Sequence, residues 1–274
     1  MDCDLNMSLI PFLKWAGGKR WLVSRHKDLF PVHYNVYFEP FLGAGSVYFY
    51  LNPKQAVLAD INEELILTYI AIRDNWRELE ELLALHQENH NKDYYYFIRG
   101  ESPINQIERA ARFIYLNRTC FNGIYRVNLK GKFNVPIGTK DKVILETDNF
   151  REASELLSRA QLHTSDFEQV IDASSTNDFV FADPPYTVRH NQNGFIKYNE
   201  NLFSWNDQVR LADSLWRAKN RGVKILSTNA NHQSVRELYE ERGFNVHSIS
   251  RYSSISASAE KRNQYEEIIV NANI

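Results

Sequence analysis

Cysteine is scarce. Only Cys3 and Cys120 occur in 274 residues, too few for a disulfide framework and in keeping with a reducing compartment. Long apolar runs are missing, so no membrane span is expected. The opening MDCDLNM lacks the basic and apolar regions of a secretion signal, which makes the cytoplasm the expected location. Low-complexity segments and internal repeats are also absent. Neither sign of charge dominates: 32 Lys and Arg against 34 Asp and Glu leave a formal charge of −2. The whole chain therefore does not advertise nucleic-acid binding, but a local basic face would suffice. No metal is expected. His86 and His90 stand at i, i+4 in HQENH, yet Gln87 occupies the place where a zinc-protease motif needs glutamate. Cys120 has no histidine near it in sequence and reads as structural.

Aromatic residues are plentiful. Fifteen tyrosines and sixteen phenylalanines supply stacking surface, or simply core. The length suits one large domain with an insertion, or two domains. Up to about residue 65, NVYFEPFLGAGSVYFYL and AVLADINEEL each pair a short apolar run with a helix-compatible stretch. Residues 66–146 are mostly helical, with NWRELEELLALHQ and INQIERAARFIYLNR. They end in CFNGIYRVNLKGKFNVPIG, whose Gly and Asn punctuation predicts a hairpin or irregular loop. Alternation then returns. AQLHTSDF, DFVFADPP, VKILSTN, FNVHSISRY and YEEIIVNA read as strands, and two helices stop at Gly222 and Gly243. The expected architecture is a parallel-type α/β sheet with an antiparallel hairpin at one edge, interrupted by a small helical domain.

Three motifs lie at predicted strand ends. FEPFLGAGSV places Gly43 and Gly45 between a strand and a helix, where a backbone can approach a ligand or simply turn tightly. Tyr48 breaks the G-x-G-x-x-G pattern, which disfavours a nicotinamide oxidoreductase. Asp60 ends the next strand, placed to hold ribose hydroxyls or to cap the following helix. Together these two favour a nucleoside-bearing cofactor. In FADPPY, Asp183 ends a strand, and Pro184 and Pro185 stiffen the backbone and lack N–H groups. Tyr186 then presents a ring expected to stand exposed. A carboxylate and a rigid carbonyl can accept both hydrogens of a flat amine on which an adjacent ring stacks, as methylation of an exocyclic base amine requires. Between Arg112 and Lys142, seven basic residues face one acid, Asp141, with Phe121, Tyr125 and Phe133 interleaved. That is either a solvated face or a phosphate-binding one.

In the order PFLKWAGGKRWL, YFEPFLGAGSVYF, VLADINEELI, LNRTCFNGIYRVNLKGKFNVPIG and FADPPY, nearly the whole chain after about Ile10 resembles the Dam-type DNA adenine-N6 methyltransferases. The resemblance implies a Rossmann-like, S-adenosylmethionine-dependent catalytic domain over 1–65 and 147–274. A mainly helical target-recognition domain with a β-hairpin loop would occupy 66–146. Trp15, Lys19, Phe41, Gly43, Gly45, Asp60, Ile61, Asp166, Phe167 and Asp183 would lie on the cofactor side, with Gly17 and Gly18 letting their loop close. Asp183, Pro184, Pro185 and Tyr186 would be catalytic. Lys14 and Arg126 match positions that read guanines of GATC. Ile124 and Pro136 match apolar positions near the bases, and Phe121 a wedge beside the flipped adenine, followed by Asn122. Arg118, Lys130 and Lys132 would meet phosphates. Thr139-Lys140 and the Ser253–Asn263 segment depart from the family pattern. Double-stranded DNA is the expected partner, with a nuclease or mobile-element component as a further one, and a monomer is expected. The competing readings are cytosine-N4 methylation, RNA methylation and a catalytically silent DNA-binding relative.

Overall fold

The computed structural model describes residues 9–123, 125–128, 131–187, 203–251 and 265–274. Its strands are β1 (Tyr37–Glu39), β2 (Ala56–Asp60), β3 (Ala160–Thr164), β4 (Phe179–Ala182), β5 (Lys224–Ala230), β6 (Asn245–Arg251) and β7 (Tyr265–Ala272). They form one sheet in the order β3-β2-β1-β4-β5-β7-β6. The β1–β4, β2–β3 and β4–β5 pairs are parallel, while β7 runs antiparallel to both β5 and β6. This mixed sheet with helices is consistent with the expected Rossmann-like α/β arrangement. The antiparallel pair is β6 and β7, and the later strand β7, not β6, lies beside β5.

The helices are α1 (Arg20–Arg25), α2 (Ser46–Leu51), α3 (Glu63–Asn89), α4 (Lys92–Gly100), α5 (Gln106–Thr119), α6 (Phe150–Leu157), α7 (Phe167–Asp172), α8 (Trp205–Asn220) and α9 (Gln233–Glu240). None of the helices among the described residues is long and apolar enough to cross a membrane. Side-chain oxygens start many of them by satisfying otherwise unpaired amides. Asn62 caps α3, Asn91 caps α4 and Asn105 caps α5. Ser204 and Asp207 form a reciprocal capping box on α8. Gly222 and Gly243 follow α8 and α9 with φ of +83° and +69°, conformations that only glycine adopts freely. Within α3, Asn75 has non-helical dihedrals (φ −141°, ψ 37°), so the helix read from Asn75 is its second limb.

Two compact units emerge. The first joins the chain up to Lys27 with Leu42–Thr164; the second joins Asp28–Phe41 with Ser165–Ile274. Residues 66–146, expected as an insertion, lie within the first unit. α3 starts at Glu63 and continues without a break through that boundary, packing on α5, α6 and β3. The first unit is cored by Leu65, Tyr69, Ile72, Leu79, Leu83, Ile114 and Tyr115, all fully buried. Gln87 latches the segment around residues 141–144: its Oε1 accepts from Val143 N at 2.6 Å and Ile144 N at 3.3 Å, while its Nε2 donates to Asp141 O at 3.0 Å. The second unit packs Phe179, Phe181, Leu211, Leu215, Ile225, Leu226, Ile268 and Val270 on the two sides of its strands.

Candidate active site

In the first unit the turn between β1 and α2 is held from below. Gly43 and Gly45 have φ of +48° and +65°. The Gly45 amide donates to Leu42 O at 2.7 Å, and the Leu42 amide to Ala59 O at 2.9 Å, which ties the turn to β2. Asp60 completes the tie: its Oδ2 accepts from Gly43 N at 3.1 Å and its Oδ1 from Asn62 N at 3.0 Å. Burial pushes the Asp60 carboxyl above its ordinary range, opposed by the amides of Asn62, Gly43 and Ile61. A carboxylate offers about four acceptor sites, so even with these three amides the tie leaves capacity for a ribose hydroxyl. Beside it Ile61 is 74% exposed, unusual for a large apolar residue.

Trp15 closes over that turn. A Cβ at Gly43 would fall 2.8 Å from Trp15 Cδ1, so only glycine fits. The indole also stacks on Phe113 and Tyr125, with centroids 6.3 and 6.1 Å apart. Gly17 (φ +82°) shapes the loop that follows Trp15, and the Gly18 amide donates to Trp15 O at 3.3 Å. Lys19 is buried, and its Nζ donates to Gly17 O at 2.8 Å, bracing this loop from inside.

The segment expected to read DNA follows α5. Phe121–Gly123 forms a 3-10 turn, with Asn122 at φ 57° and Phe121 54% exposed. The Phe121 amide donates to Pro136 O at 2.9 Å. Bridges Cys120–Ile137 and Val127–Phe133 are antiparallel, as a hairpin requires. Tyr125 packs 4.4 Å from Phe113 and 5.4 Å from Phe133 between ring centroids, so the interleaved aromatics anchor the loop. Arg126, Lys132 and Pro136 are exposed, and Arg126 Nε donates to Asn134 Oδ1 at 3.1 Å. Lys14 is exposed, while its backbone is clasped by Asn117, which accepts from Lys14 N at 3.0 Å and donates to Lys14 O at 2.8 Å. Partial burial and the neighbouring Lys140 lower the Lys14 ammonium pKa. Ile124, Lys130 and the 253–263 segment lie outside the described residues.

Arg118 does not fit a phosphate contact. It is 3% exposed, and its guanidinium grips Asp148 through two hydrogen bonds of 2.6 and 2.7 Å. It also donates to Phe12 O at 2.8 Å and Val143 O at 2.5 Å. It is an internal brace. The two histidines of HQENH are likewise engaged: His86 Nδ1 and Tyr94 OH are 2.8 Å apart, and His90 Nδ1 and Tyr115 OH 2.9 Å.

The second unit presents the carboxyl end of β4. Its four residues, Phe179–Ala182, are all buried, and Asp183 emerges half-buried. The Thr228 hydroxyl donates to Asp183 Oδ1 at 2.6 Å. Pro184 is buried and Pro185 half-buried. The Pro185 carbonyl already accepts from Gln208 Nε2 at 3.4 Å, and Asn229 Nδ2 in turn donates to Gln208 Oε1 at 2.9 Å. Tyr186 is half-buried, not exposed, because its hydroxyl reaches inward and donates to Glu267 Oε2 at 2.7 Å. Burial, then Asp183 and Glu267, push the phenol well above its ordinary pKa, so it keeps its proton. Phe41 stacks on Phe167 at 5.4 Å, and Arg210 lies 4.8 Å from the Phe167 centroid. The Asp166 carboxylate caps α7 through Glu168 N at 2.9 Å and pairs with Arg210 at 2.9 Å.

Thr228, Gln208 and Glu267 escaped sequence reasoning. The available signal was polarity inside apolar strands: Ser227, Thr228 and Asn229 interrupt β5, and Glu267 precedes Ile268, Ile269 and Val270 in β7. Ser227, Thr228 and Asn229 are fully buried, and Glu267 is only 5% exposed.

The D12 class N6 adenine-specific DNA methyltransferase family matches residues 15–255. A type II methyltransferase of Lactococcus lactis subsp. cremoris is 38% identical over 273 residues, covering 96% of this chain and 95% of that protein. A type II methyltransferase of Methanocaldococcus jannaschii is 36% identical, covering 97% and 100%. A DNA adenine methylase of Haemophilus influenzae is 33% identical, covering 94% and 92%.

Proposed function

Because the chain belongs to the D12 class N6 adenine-specific DNA methyltransferase family, we propose that it methylates adenine N6 in duplex DNA, at GATC or a related site, with Asp183–Tyr186 as its catalytic tetrad. The observation that carries this reading is the stiff Asp183-Pro184-Pro185-Tyr186 run at the carboxyl end of buried β4, its carboxylate fixed by Thr228 and its ring by Glu267.

S-adenosylmethionine, when bound, supplies an activated methyl group. On the side of this chain, Gly43 offers close backbone approach, Asp60 spare lone pairs for ribose hydroxyls, and Ile61 an apolar face for adenine. Phe41 and Phe167 offer a further apolar wall, whereas the Asp166 carboxylate already serves α7 and Arg210.

Adenine N6 is a poor nucleophile because its lone pair is delocalised, and inside a duplex it is stacked out of reach. The base therefore flips out, at a cost of a few kcal/mol. Stacking on Tyr186 returns about 1–3 kcal/mol. Asp183 and the Pro184 carbonyl accept the two N6 hydrogens, since the Pro185 carbonyl is already engaged by Gln208. Held this way, the nitrogen becomes tetrahedral and its lone pair is freed for attack. Asp183 stabilises the positive charge gained by N6 and takes up the proton that N6 then loses. No covalent enzyme intermediate is needed.

Residues 66–146 supply target recognition in this reading. Phe121 wedges beside the vacated base, with Asn122 following it. Arg126 and Lys14 read guanines, Pro136 and Ile124 touch bases, and Lys132 and Lys130 meet phosphates. Two type II methyltransferases among the relatives favour a restriction-linked setting with a partner nuclease. The test is methyl transfer from labelled S-adenosylmethionine to unmethylated plasmid, followed by modification-sensitive sequencing. N6-methyladenine confined to GATC is expected. Methylation at another motif keeps the chemistry and discards the site. Asp183→Ala abolishes turnover while retaining DNA binding and fold, and full activity in that variant overturns the assignment.

A further inference from the structure

We infer that Thr228 and Glu267 are positioning residues for methyl transfer, one acting through Asp183 and the other through Tyr186; this rests on the function proposed above. Both contacts join a hydroxyl to a carboxyl oxygen, at 2.6 and 2.7 Å, and both reach the tetrad from strands that follow it in sequence. Thr228 lies in β5, directly beside the parallel strand β4, whose last residue Ala182 precedes Asp183. Glu267 lies in β7, in register with Ala230 of β5. Each sits where an apolar residue would suit the fold better. Thr228 is fully buried, and Glu267 is 5% exposed in a strand that continues with Ile268, Ile269 and Val270. Burying a carboxyl group in a strand interior opposes folding unless hydrogen bonds compensate. What the group gains here is a grip on the tetrad.

The grip has a geometric purpose. A carboxylate that must accept one N6 hydrogen works only in one rotamer, and a hydroxyl on Oδ1 selects it. A ring that must stack on a base works only in one plane. The two proline residues fix the Tyr186 backbone but leave its side-chain torsions free. A hydrogen bond at the far end of the ring removes that freedom. Misplacement of groups in a reacting array lowers the rate without loosening binding much.

The experiment is single-turnover methyl transfer with the full chain. Thr228→Val is expected to slow the step by roughly tenfold, with Thr228→Ser restoring it to within about twofold, because the hydroxyl returns. Glu267→Leu is expected to slow it comparably, while Glu267→Gln, which keeps an oxygen acceptor, recovers most of the rate. KM for DNA and cofactor is expected to stay within about twofold. The deciding comparison uses Tyr186→Phe, which removes the hydroxyl. In that background Glu267→Leu is expected to have no further effect, and the apolar pair at 186 and 267 keeps the variant folded. Wild-type rates in Thr228→Val and Glu267→Leu overturn the inference. So does a Glu267→Leu loss undiminished in the Tyr186→Phe background, which would make Glu267 a general structural residue. Asp183→Asn is the separate arm for the chemistry: unimpaired methyl transfer there overturns the catalytic assignment of the tetrad, and absence of methyl transfer by the wild type overturns the function itself, whereas loss in Asp183→Asn alongside wild-type rates in the other variants overturns the positioning roles alone.

Discussion

Arg118→Met separates two views of a basic residue in the stretch expected to read DNA. If Arg118 braces the interior, the substitution removes the partner of a carboxylate that is 4% exposed. It also deprives Phe12 O and Val143 O of their donor. Breaking a buried pair from one side costs about 3–5 kcal/mol, because the Asp148 carboxylate is left with only the Leu145 amide as partner. For a chain of this size each kcal/mol lowers the melting temperature by roughly 2–4 °C, so a fall on the order of 10 °C is expected. Thermal unfolding by circular dichroism reads it directly. Arg118→Met with Asp148→Leu is expected to recover part of the loss, since both partners are then apolar. A phosphate contact behaves in the opposite way: stability is unchanged, DNA affinity falls, and the salt slope of binding declines by about one. That second pattern would refute the reasoning from burial.

Three other outcomes follow from the same geometry. Gly43→Ala forces a Cβ to within 2.8 Å of Trp15 at a φ of +48°, so a loss of about 1–3 kcal/mol in stability and weaker S-adenosylmethionine binding by calorimetry are expected. Burial lowers the His86 pKa to about 4, below its ordinary 6.5. The unfolded chain therefore binds the proton more readily, and the stability that neutral His86 contributes is full above about pH 6.5 and lost as pH falls toward about 4. His86→Phe is expected to flatten denaturation midpoints across that window, and an unaltered pH profile would count against it. Arg126→Ala is expected to relax discrimination at one guanine by roughly 1–3 kcal/mol, measured as methylation rates on single-base variants of the site.

Much of the fold could be read locally. β4, the Gly43–Gly45 turn, Asp60 and the stops at Gly222 and Gly243 announce themselves within a few residues, because strand periodicity, positive φ and helix termination are local demands. What stayed hidden depends on distant partners. Arg118 reads as one more cation in a basic stretch until Asp148 and Phe12 are brought to it. Tyr186 reads as exposed until β7 delivers Glu267 from 81 positions away. The register that does so, Ala230 opposite Glu267, is a property of the sheet and of no short segment. The division into two compact units is hidden for a related reason: buried residues of α3, among them Leu65, Ile66 and Tyr69, run across residue 65, so composition changes where the packing does not.

Gln87 illustrates how near two chemistries can lie in sequence. Glutamine and glutamate codons differ by a single base, and one such change would turn HQENH into HEENH, the spacing of a zinc protease. The change is not neutral here. A glutamate would keep the acceptor for Val143 and Ile144 but lose the donor to Asp141 O, and would set a carboxylate against that carbonyl. The segment around residues 141–144 would lose one end of its latch, and both imidazoles would still be committed to Tyr94 and Tyr115. A genetic drift toward metal chemistry at this helix would thus meet resistance from the segment that Gln87 holds before any ion could be bound.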